Sequence, residues 1–560
     1  MTFLRRGRLV VFITLLSIML TIVMITATAT AAGGGNVSMT VIGRYETGVE
    51  GGSEVVAYDA ATQKMFITNG DNDSVDIVDI SDPMSPTLLA QFDISLYGGG
   101  INSVAVYSGV AVAAVEAFTV TDPGTAVFLD HNGNYINDVE VGALPDMVTY
   151  DHAGQNVLVA NEGEPDGGVD PAGSVSIIDV SGGAANITQA DVSTADFTAF
   201  DGMEDQLRMA GVRIFSPTLT SIDVEPEYIA VAPDDSEAWV TLQEANAVAV
   251  VDIANATVLD IVPLGLKDHS AAGNMLDASD RDGPGGSGAI NIQNWPVFGM
   301  YMPDSITSFE ANGTTYYVTA NEGDARNEDE RVGNLMLDPT VFTDAATLQM
   351  DENLGRYEVS TIDGDTDGDG MYEALHGYGA RSFTIWDANG VVFDSGDDFG
   401  MITAMEVPEI FNSNGTTETF DTRSDAKGAE PEAITFGRIA GKEMIFIGLE
   451  RTGGVMVYDA SMPTQPQFEL YEAQSGGDLA PETMVFVPAA DSPNGNPLLL
   501  VAFEISGSTT VYQVDYLGPT DVSLTMLDGT AGSADLVWLV AGLLAVVAAA
   551  GLFWRRWATS

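Results

Sequence analysis

Residues 225–253 read EPEYIAVAPDDSEAWVTLQEANAVAVVDI. An acid opens a short alternating apolar strand, Glu227–Val231. A turn follows, then a second strand that ends at Glu244, then a third that closes on an Asp-Ile pair. The strands are rich in β-branched and aromatic residues with period-two alternation, the pattern of β-structure. The unit recurs along the chain. First strands begin at Glu54, Asn102, Asp146, Glu227, Asp304, Glu432 and Glu482, and several are preceded directly by proline. Second strands end at Asn69, Glu116, Glu162, Glu244, Glu322, Glu450 and Glu504. Third strands include SVDIVDI, SVSIIDV, GVMVYD and STTVYQVD. Seven such units predict an all-β fold, a seven-bladed β-propeller over residues 33–516. Val41–Tyr45 is expected to supply the outer strand of the last blade and close the ring.

Uneven spacing between units signals long insertions. Segments 187–223 and 266–303 and the stretch from Glu322 to Arg381 are expected to open on one mouth of the central channel. In a propeller blade the inner strand starts, and the next strand ends, on the same face. The acids at those positions therefore converge on that mouth. Only Asn69 and Asn102 break the series, and both are still oxygen ligands. Two carboxylates about 6 Å apart repel by about 2.8 kcal/mol at an effective dielectric near 20. Such a ring either binds protons or binds cations. Oxygen donors without Cys or His select Ca²⁺ or Mg²⁺ over softer metals. Glu162, Glu227, Asp304, Glu322, Glu432, Glu450 and Glu504 are the expected ring ligands, with calcium the first choice and another divalent cation the second.

A more local signal is Asp363-Gly-Asp365-Thr-Asp367-Gly-Asp369-Gly370-Met-Tyr-Glu373. Asp365, Asp367 and Asp369 stand at positions 1, 3 and 5 of a calcium loop, Gly370 at 6 and Glu373 at 9. His376 stands where an EF-hand has its bidentate glutamate, so a compact loop is expected rather than helix–loop–helix. Asp277-Ala-Ser-Asp280-Arg-Asp282-Gly283 is a less regular acidic segment of the same kind.

Composition narrows the partners. The chain of 560 residues carries 81 Asp+Glu against 20 Lys+Arg, a formal net charge of −61, which excludes a broad cationic face for nucleic acid. It has no cysteine, so disulfide scaffolds, thiolate metal sites and Cys nucleophiles are excluded. At 45% hydrophobic residues it can form a core. Residues 1–32 hold Arg5, Arg6 and Arg8, no acid and an apolar run, the pattern of a secretory signal. Residues 536–554 form a second apolar run closed by Arg555 and Arg556, the pattern of a transmembrane helix. Residues 517–535 then form a juxtamembrane linker and 555–560 a cytoplasmic tail. The propeller is expected outside the cell, anchored to the plasma membrane by a single pass.

The few bases gather near the predicted mouth. Arg326, Arg451, Lys267 and Arg423 are candidates to hold a phosphate or carboxylate group. No catalytic residue can be named, because the chain has neither a GxSxG elbow nor a P-loop. The stretches Ala160–Pro165 (ANEGEP), Glu225–Ala230 (EPEYIA), Thr319–Arg326 (TANEGDAR), Ile447–Arg451 (IGLER), Lys267–Ser270 (KDHS), Leu276–Gly283 (LDASDRDG) and Arg423–Gly428 (RSDAKG) resemble the bacterial choice-of-anchor I family. The resemblance runs from about residue 40 to 516. It implies a surface propeller, and its members sometimes carry an alkaline phosphatase-like label. The expected function is cation binding together with binding of an extracellular ligand or partner at the acidic mouth. The alternative is a calcium-dependent phosphoesterase, phytase or alkaline phosphatase-like, acting on a small-molecule phosphoester.

Overall fold

The computed structural model describes residues 35–518 except Ser475. The expectations for residues 1–32 and 536–560, and for the linker beyond Gly518, lie outside the described residues. Among the described residues no helix is long and apolar enough to cross a membrane.

The fold is all-β and propeller-like. Seven four-stranded sheets follow one another along the chain. The third sheet shows the pattern: Pro145–Tyr150, Asn156–Asn161, Ser174–Asp179 and Val192–Asp196 lie side by side in chain order and pair antiparallel. The fourth repeats it with Pro226–Val231, Glu237–Leu242, Ala247–Asp252 and Thr257–Pro263. In the seventh, Val37–Glu46 lies beside Ser508–Tyr516, so the first strand of the chain completes the last sheet. The first strands of successive sheets contact one another in a closed circuit, from Val56–Asp59 round to Pro481–Val487.

Burial explains the near-continuous apolar runs in the middle strands. Both faces of a sheet pack against a neighbour. One cluster joins Phe66, Val75 and Ile77 of the first sheet to Val104, Val115 and Val127 of the second. Another joins Leu158, Val175 and Ile177 of the third to Val240, Ala249 and Val251 of the fourth. Hydroxyls stitch the inner strands. The Val56 amide donates to Thr483 Oγ1 at 3.0 Å, and that hydroxyl donates to the Glu54 carbonyl at 2.9 Å. Thr241 Oγ1 bridges to the Asp304 carbonyl at 3.0 Å.

The insertions build a lobe with its own core. Leu276, Trp295 and Val297 from one insertion pack with Val332, Leu348, Leu354 and Tyr357 from another. A small sheet of Leu266–Asp268, Phe298–Met300 and His376–Gly377 joins the same two segments.

Closure of the last sheet rests on a buried carboxylate. Asp478 is 1% exposed. It receives Arg44 Nη2 at 2.6 Å and the hydroxyls of Ser508 and Thr510, each at 2.9 Å. Replacing Arg44 with Met removes the charged donor from the first strand. We expect urea unfolding to show a loss of about 1.5–3 kcal/mol. Adding Asp478→Asn in the same chain should recover part of it, because the stranded charge is then gone.

Candidate acidic centre at the channel mouth

Four inner strands open in the same way. Leu144, Met302, Glu430 and Ala480 hold left-handed backbone, with φ of 47°, 42°, 55° and 59°. Each is followed by proline and then by an acid. Non-glycine residues resist this conformation by about 1–3 kcal/mol, so the surroundings must hold it. Part of that hold is visible. The Leu144 carbonyl accepts the Glu162 amide at 2.9 Å, Glu430 accepts Glu450 at 2.8 Å, and Ala480 accepts Glu504 at 2.9 Å. In the fifth sheet Met302 accepts the Gly323 amide at 3.0 Å, one residue past Glu322. The pairing register then slips across Asp146, Glu227, Glu432 and Glu482. Proline has no amide to donate at that point, and the bulge re-aims the next side chain. Asp146, Glu227, Glu432 and Glu482 thus sit in bulges, near the acids that follow the second strands.

These carboxyls sense one another across the sheets. Asp304 is pushed well above its ordinary value, first by burial and then by Glu322, Asp146 and Glu450. Glu227 is raised by burial, then by Glu244, Asp304 and Glu162. Glu482 is raised by burial, then by Asp304, Glu450 and Glu504. Burial and then Glu482 and Glu450 raise Glu432. Burial, followed by Asp146 and Glu244, raises Glu162. Glu54 is pushed up to about 7 by burial and Glu504. One oxygen each of Glu227, Glu244 and Glu432 is buried without a hydrogen-bond partner.

The first two sheets depart from the expected series. Asn69 turns into its own sheet, where its Nδ2 donates to Asp76 at 3.2 Å. Asn161 and Asn321 are the last residues of their strands in the same way. The residue equivalent to Glu162 and Glu322 is therefore Gly70, not Asn69. A Cβ there would press on the Glu54 carboxylate, so glycine leaves room for it. Asn102 Nδ2 donates to the Pro145 carbonyl at 3.1 Å. Glu116 is raised by burial and Asp73 alone, away from the ring acids.

Where the acids meet bases, two centres form. In one, Arg326 pairs with Glu225 and lies 3.6 Å from both Asp223 and Glu244, with its guanidinium 5.1 Å over the Phe215 ring. In the other, carboxylate oxygens of Glu322, Glu430 and Glu450 lie within 4.8 Å of one another. Lys427 Nζ sits 2.5 Å from Glu322 and 3.4 Å from Glu430. Arg423 pairs with Glu430 at 2.5 Å, and Arg451 with Glu450 at 2.9 Å. Burial pushes Glu430 up, but Lys427, Arg423 and Arg451 overcome it and hold the carboxyl below its ordinary value. Glu430 was not among the expected ligands. The signal was the first Glu of the EPE motif, which in both copies, Glu225 and Glu430, is the one that takes a base. Lys267 stands apart. It is 3% exposed, pairs with Asp394 at 2.8 Å and donates to the Ala380 and Gly396 carbonyls, so its charge is spent inside the protein.

Beside the second centre lies a cavity of about 230 Å³. Arg331, Arg356, Arg423 and Lys427 line it, facing Asp280, Asp324, Glu358 and Asp425. The loop expected to bind calcium gathers as its spacing implied. Oxygens of Asp365, Asp367, Asp369 and Glu373 lie within 4.8 Å of one another. Glu373 Oε2 accepts the Thr366 amide at 2.7 Å, and its Oε1 is buried without a partner.

The raised carboxyls set a pH dependence. Asp146 is pushed to about 6 by burial and Glu244. Glu322 is pushed to about 7, mainly by burial, and Glu225 to about 8 for the same first reason. The folded protein therefore holds protons that the unfolded chain, with ordinary values of 3.8 and 4.5, has already released. Stability is greatest below about pH 4 for these groups and falls as pH rises through about 6 to 8. In the presence of a chelator, the melting temperature should drop across that window. Replacing Lys427 with Met should cost about 3 kcal/mol at neutral pH by urea unfolding, since it leaves the buried Glu322 carboxyl without the base it pairs with.

The Choice-of-anchor I domain family model matches residues 54–463. Gigasin-3a of Magallana gigas is 30% identical over 191 residues, covering 30% of this chain and 67% of that protein. A mesenchyme-specific cell surface glycoprotein of Strongylocentrotus purpuratus is 27% identical over 286 residues, covering 44% of this chain and 36% of that protein. Among solved structures, the chain is similar to the WD40 domain of coronin from Toxoplasma gondii, with a TM-score of 0.44, 9% identity and coverage of 87% and 88% of the two chains. It is similar also to Kuenenia stuttgartiensis hydrazine synthase, with a TM-score of 0.41, 13% identity and coverage of 84% and 99%. The matched span takes in five of the six first-strand acids, from Glu54 to Glu432, and the chain belongs to the choice-of-anchor I family.

Proposed function

We propose that this chain is a seven-bladed propeller displayed at the cell surface, where it holds divalent cations and binds an anionic group of a ligand at the acidic mouth. Calcium is the cation its donors suit best, because every candidate ligand is an oxygen. The observation that carries the reading is the loop Asp365–Glu373, where four carboxylates come within 4.8 Å and Glu373 Oε1 has no partner of its own. The axial acids are a second place for a cation, since several of them meet no base. The cavity lined by Arg331, Arg356, Arg423 and Lys427 takes the ligand. A surface location accords with the name of the sea-urchin relative. The apolar runs of residues 1–32 and 536–554 would serve as secretion signal and membrane anchor.

The proximity of that cavity to the Glu322, Glu430 and Glu450 carboxylates favours a second reading, a calcium-dependent phosphoesterase. There the bases would orient a phosphate, and a bound ion would polarise it. Glu322, Glu430 and Glu450 already face Lys427, Arg423 and Arg451, which makes the binding role the stronger of the two.

Two measurements test this. Calcium added to the chelator-treated full-length protein should raise its melting temperature. The Asp365→Asn, Asp367→Asn double variant should lose most of that rise, and an unchanged rise would remove the loop from the account. A panel of phosphomonoesters and phosphodiesters, assayed with and without calcium, should show no turnover above that of a Glu322→Gln, Glu450→Gln variant. Calcium-dependent turnover that this variant abolishes would replace the binding role with the hydrolytic one.

A further inference from the structure

The cavity beside the second centre is small, and its walls carry charge of both signs. At about 230 Å³ it falls below the range of about 300–1,000 Å³ that drug-sized ligands occupy. Four bases and four acids line it. Every base already holds a carboxylate. Arg331 pairs with Glu358 at 2.8 Å and with Asp425 at 2.7 Å. Arg356 pairs with Asp280 and with Asp425, each at 2.9 Å. Arg423 and Lys427 pair at 2.5 Å with Glu430 and Glu322, neither of which lines the cavity. A plain anion therefore meets no surplus of positive charge, and enclosing an unmatched charge is costly.

Groups of each sign nevertheless remain open. Arg356 uses Nε and Nη2 on Asp280 and Asp425. Arg423 uses Nε and Nη2 on Glu430. Among the described residues the Nη1 of each is left without a partner, and such a nitrogen donates well to a carboxylate. Asp324 is the open acid. Its side chain is 56% exposed, the most of any charged group in the lining. Its base among the described residues is Lys427 at 3.9 Å, beyond hydrogen-bond reach. The rest of the wall is Ala325, Ala426, Thr422 and Tyr378. Tyr378 is 3% exposed and gives its hydroxyl to Glu328 at 3.1 Å. That wall offers no aromatic cage for a quaternary ammonium and no recess for a long apolar side chain.

We propose that the cavity takes a small zwitterion, an α-amino acid with a free ammonium and a free carboxylate. Arg356 and Arg423 receive the carboxylate, and Asp324 receives the ammonium. Such a ligand brings no net charge to a lining whose own charges balance, and each end finds the opposite sign. Its N–H donors suit a carboxylate partner. The choice of ligand rests on the reading of this cavity as the binding site.

Isothermal titration calorimetry on the full-length protein at neutral pH compares a panel of probes. Glycine and L-serine carry both charges. Lactate lacks the ammonium, ethanolamine lacks the carboxylate, glycine betaine lacks the N–H donors, and inorganic phosphate is a plain anion. Serine should bind at least about tenfold more tightly than each of the last four, a gap of about 1.4 kcal/mol. Asp324→Asn, a change at an exposed side chain, should close most of that gap. Any of the four binding as tightly as serine overturns the proposal. Lactate or phosphate doing so leaves the anion-binding reading of the cavity intact. An unchanged preference in the Asp324→Asn protein overturns the proposal as well. If no probe binds, the zwitterion and the cavity's role as ligand site fall together.

Discussion

The carbonyl of a left-handed residue, set ahead of a proline, accepts the amide of a glutamate from the next strand of the same sheet. That hydrogen bond, at 2.8–2.9 Å in three of the sheets, holds two carboxylates side by side. Repetition around a ring then brings such pairs together near one axis, where burial strips them of water. Each local step is ordinary: proline cannot donate, the register slips by one residue, and the side chain after the proline is turned inward. The outcome is not ordinary, because desolvation and like charge both oppose ionisation. The chain accepts this cost at the positions where its inner strands begin, and the apolar packing between neighbouring sheets stabilises the arrangement that imposes it.

Compensation for the buried charge is unequal. Near the fourth sheet Arg326 is shared by Asp223, Glu225 and Glu244. Near the sixth, Lys427, Arg423 and Arg451 answer Glu322, Glu430 and Glu450. Between them Asp146, Glu162, Glu227, Asp304, Glu432 and Glu482 are raised by burial and by neighbouring carboxyls. Burial and then Glu482 and Glu450 raise the Glu432 carboxyl, which favours its protonated form. A chain so poor in lysine and arginine places several of those it has at these junctions, and burial raises the carboxyls that remain.

The insertions do different work from the sheets. They carry a core of their own, built from Leu276, Trp295, Val332 and Tyr357, and they present the cavity and the acidic loop. The repeated sheets supply a stiff frame and a set of regularly placed acids. The candidate sites concentrate in irregular chain between the strands, since a loop can bring together groups that no strand spacing would.

Much of this was readable in the chain itself. The number of units, the inner-strand acids and the closing role of the first strand follow from local alternation and from repetition, which depend only on nearest neighbours along a strand. The loop at Asp365 was legible because its four donors lie within nine residues. The register at Asn69 was misread by one position, because strand ends are set by hydrogen bonds to a partner strand and not by residue type. The pairings of Glu430 and Lys267 were not legible at all. Glu430 finds Lys427 nearby in sequence but Arg451 after the next strand, and Lys267 meets Asp394 at the far end of the fifth sheet. The sequence alone determined that acids would crowd one end of a repeated β-fold. Only the tertiary structure decided which of them meet a base and which meet one another, because that pairing depends on distances between segments remote in the chain.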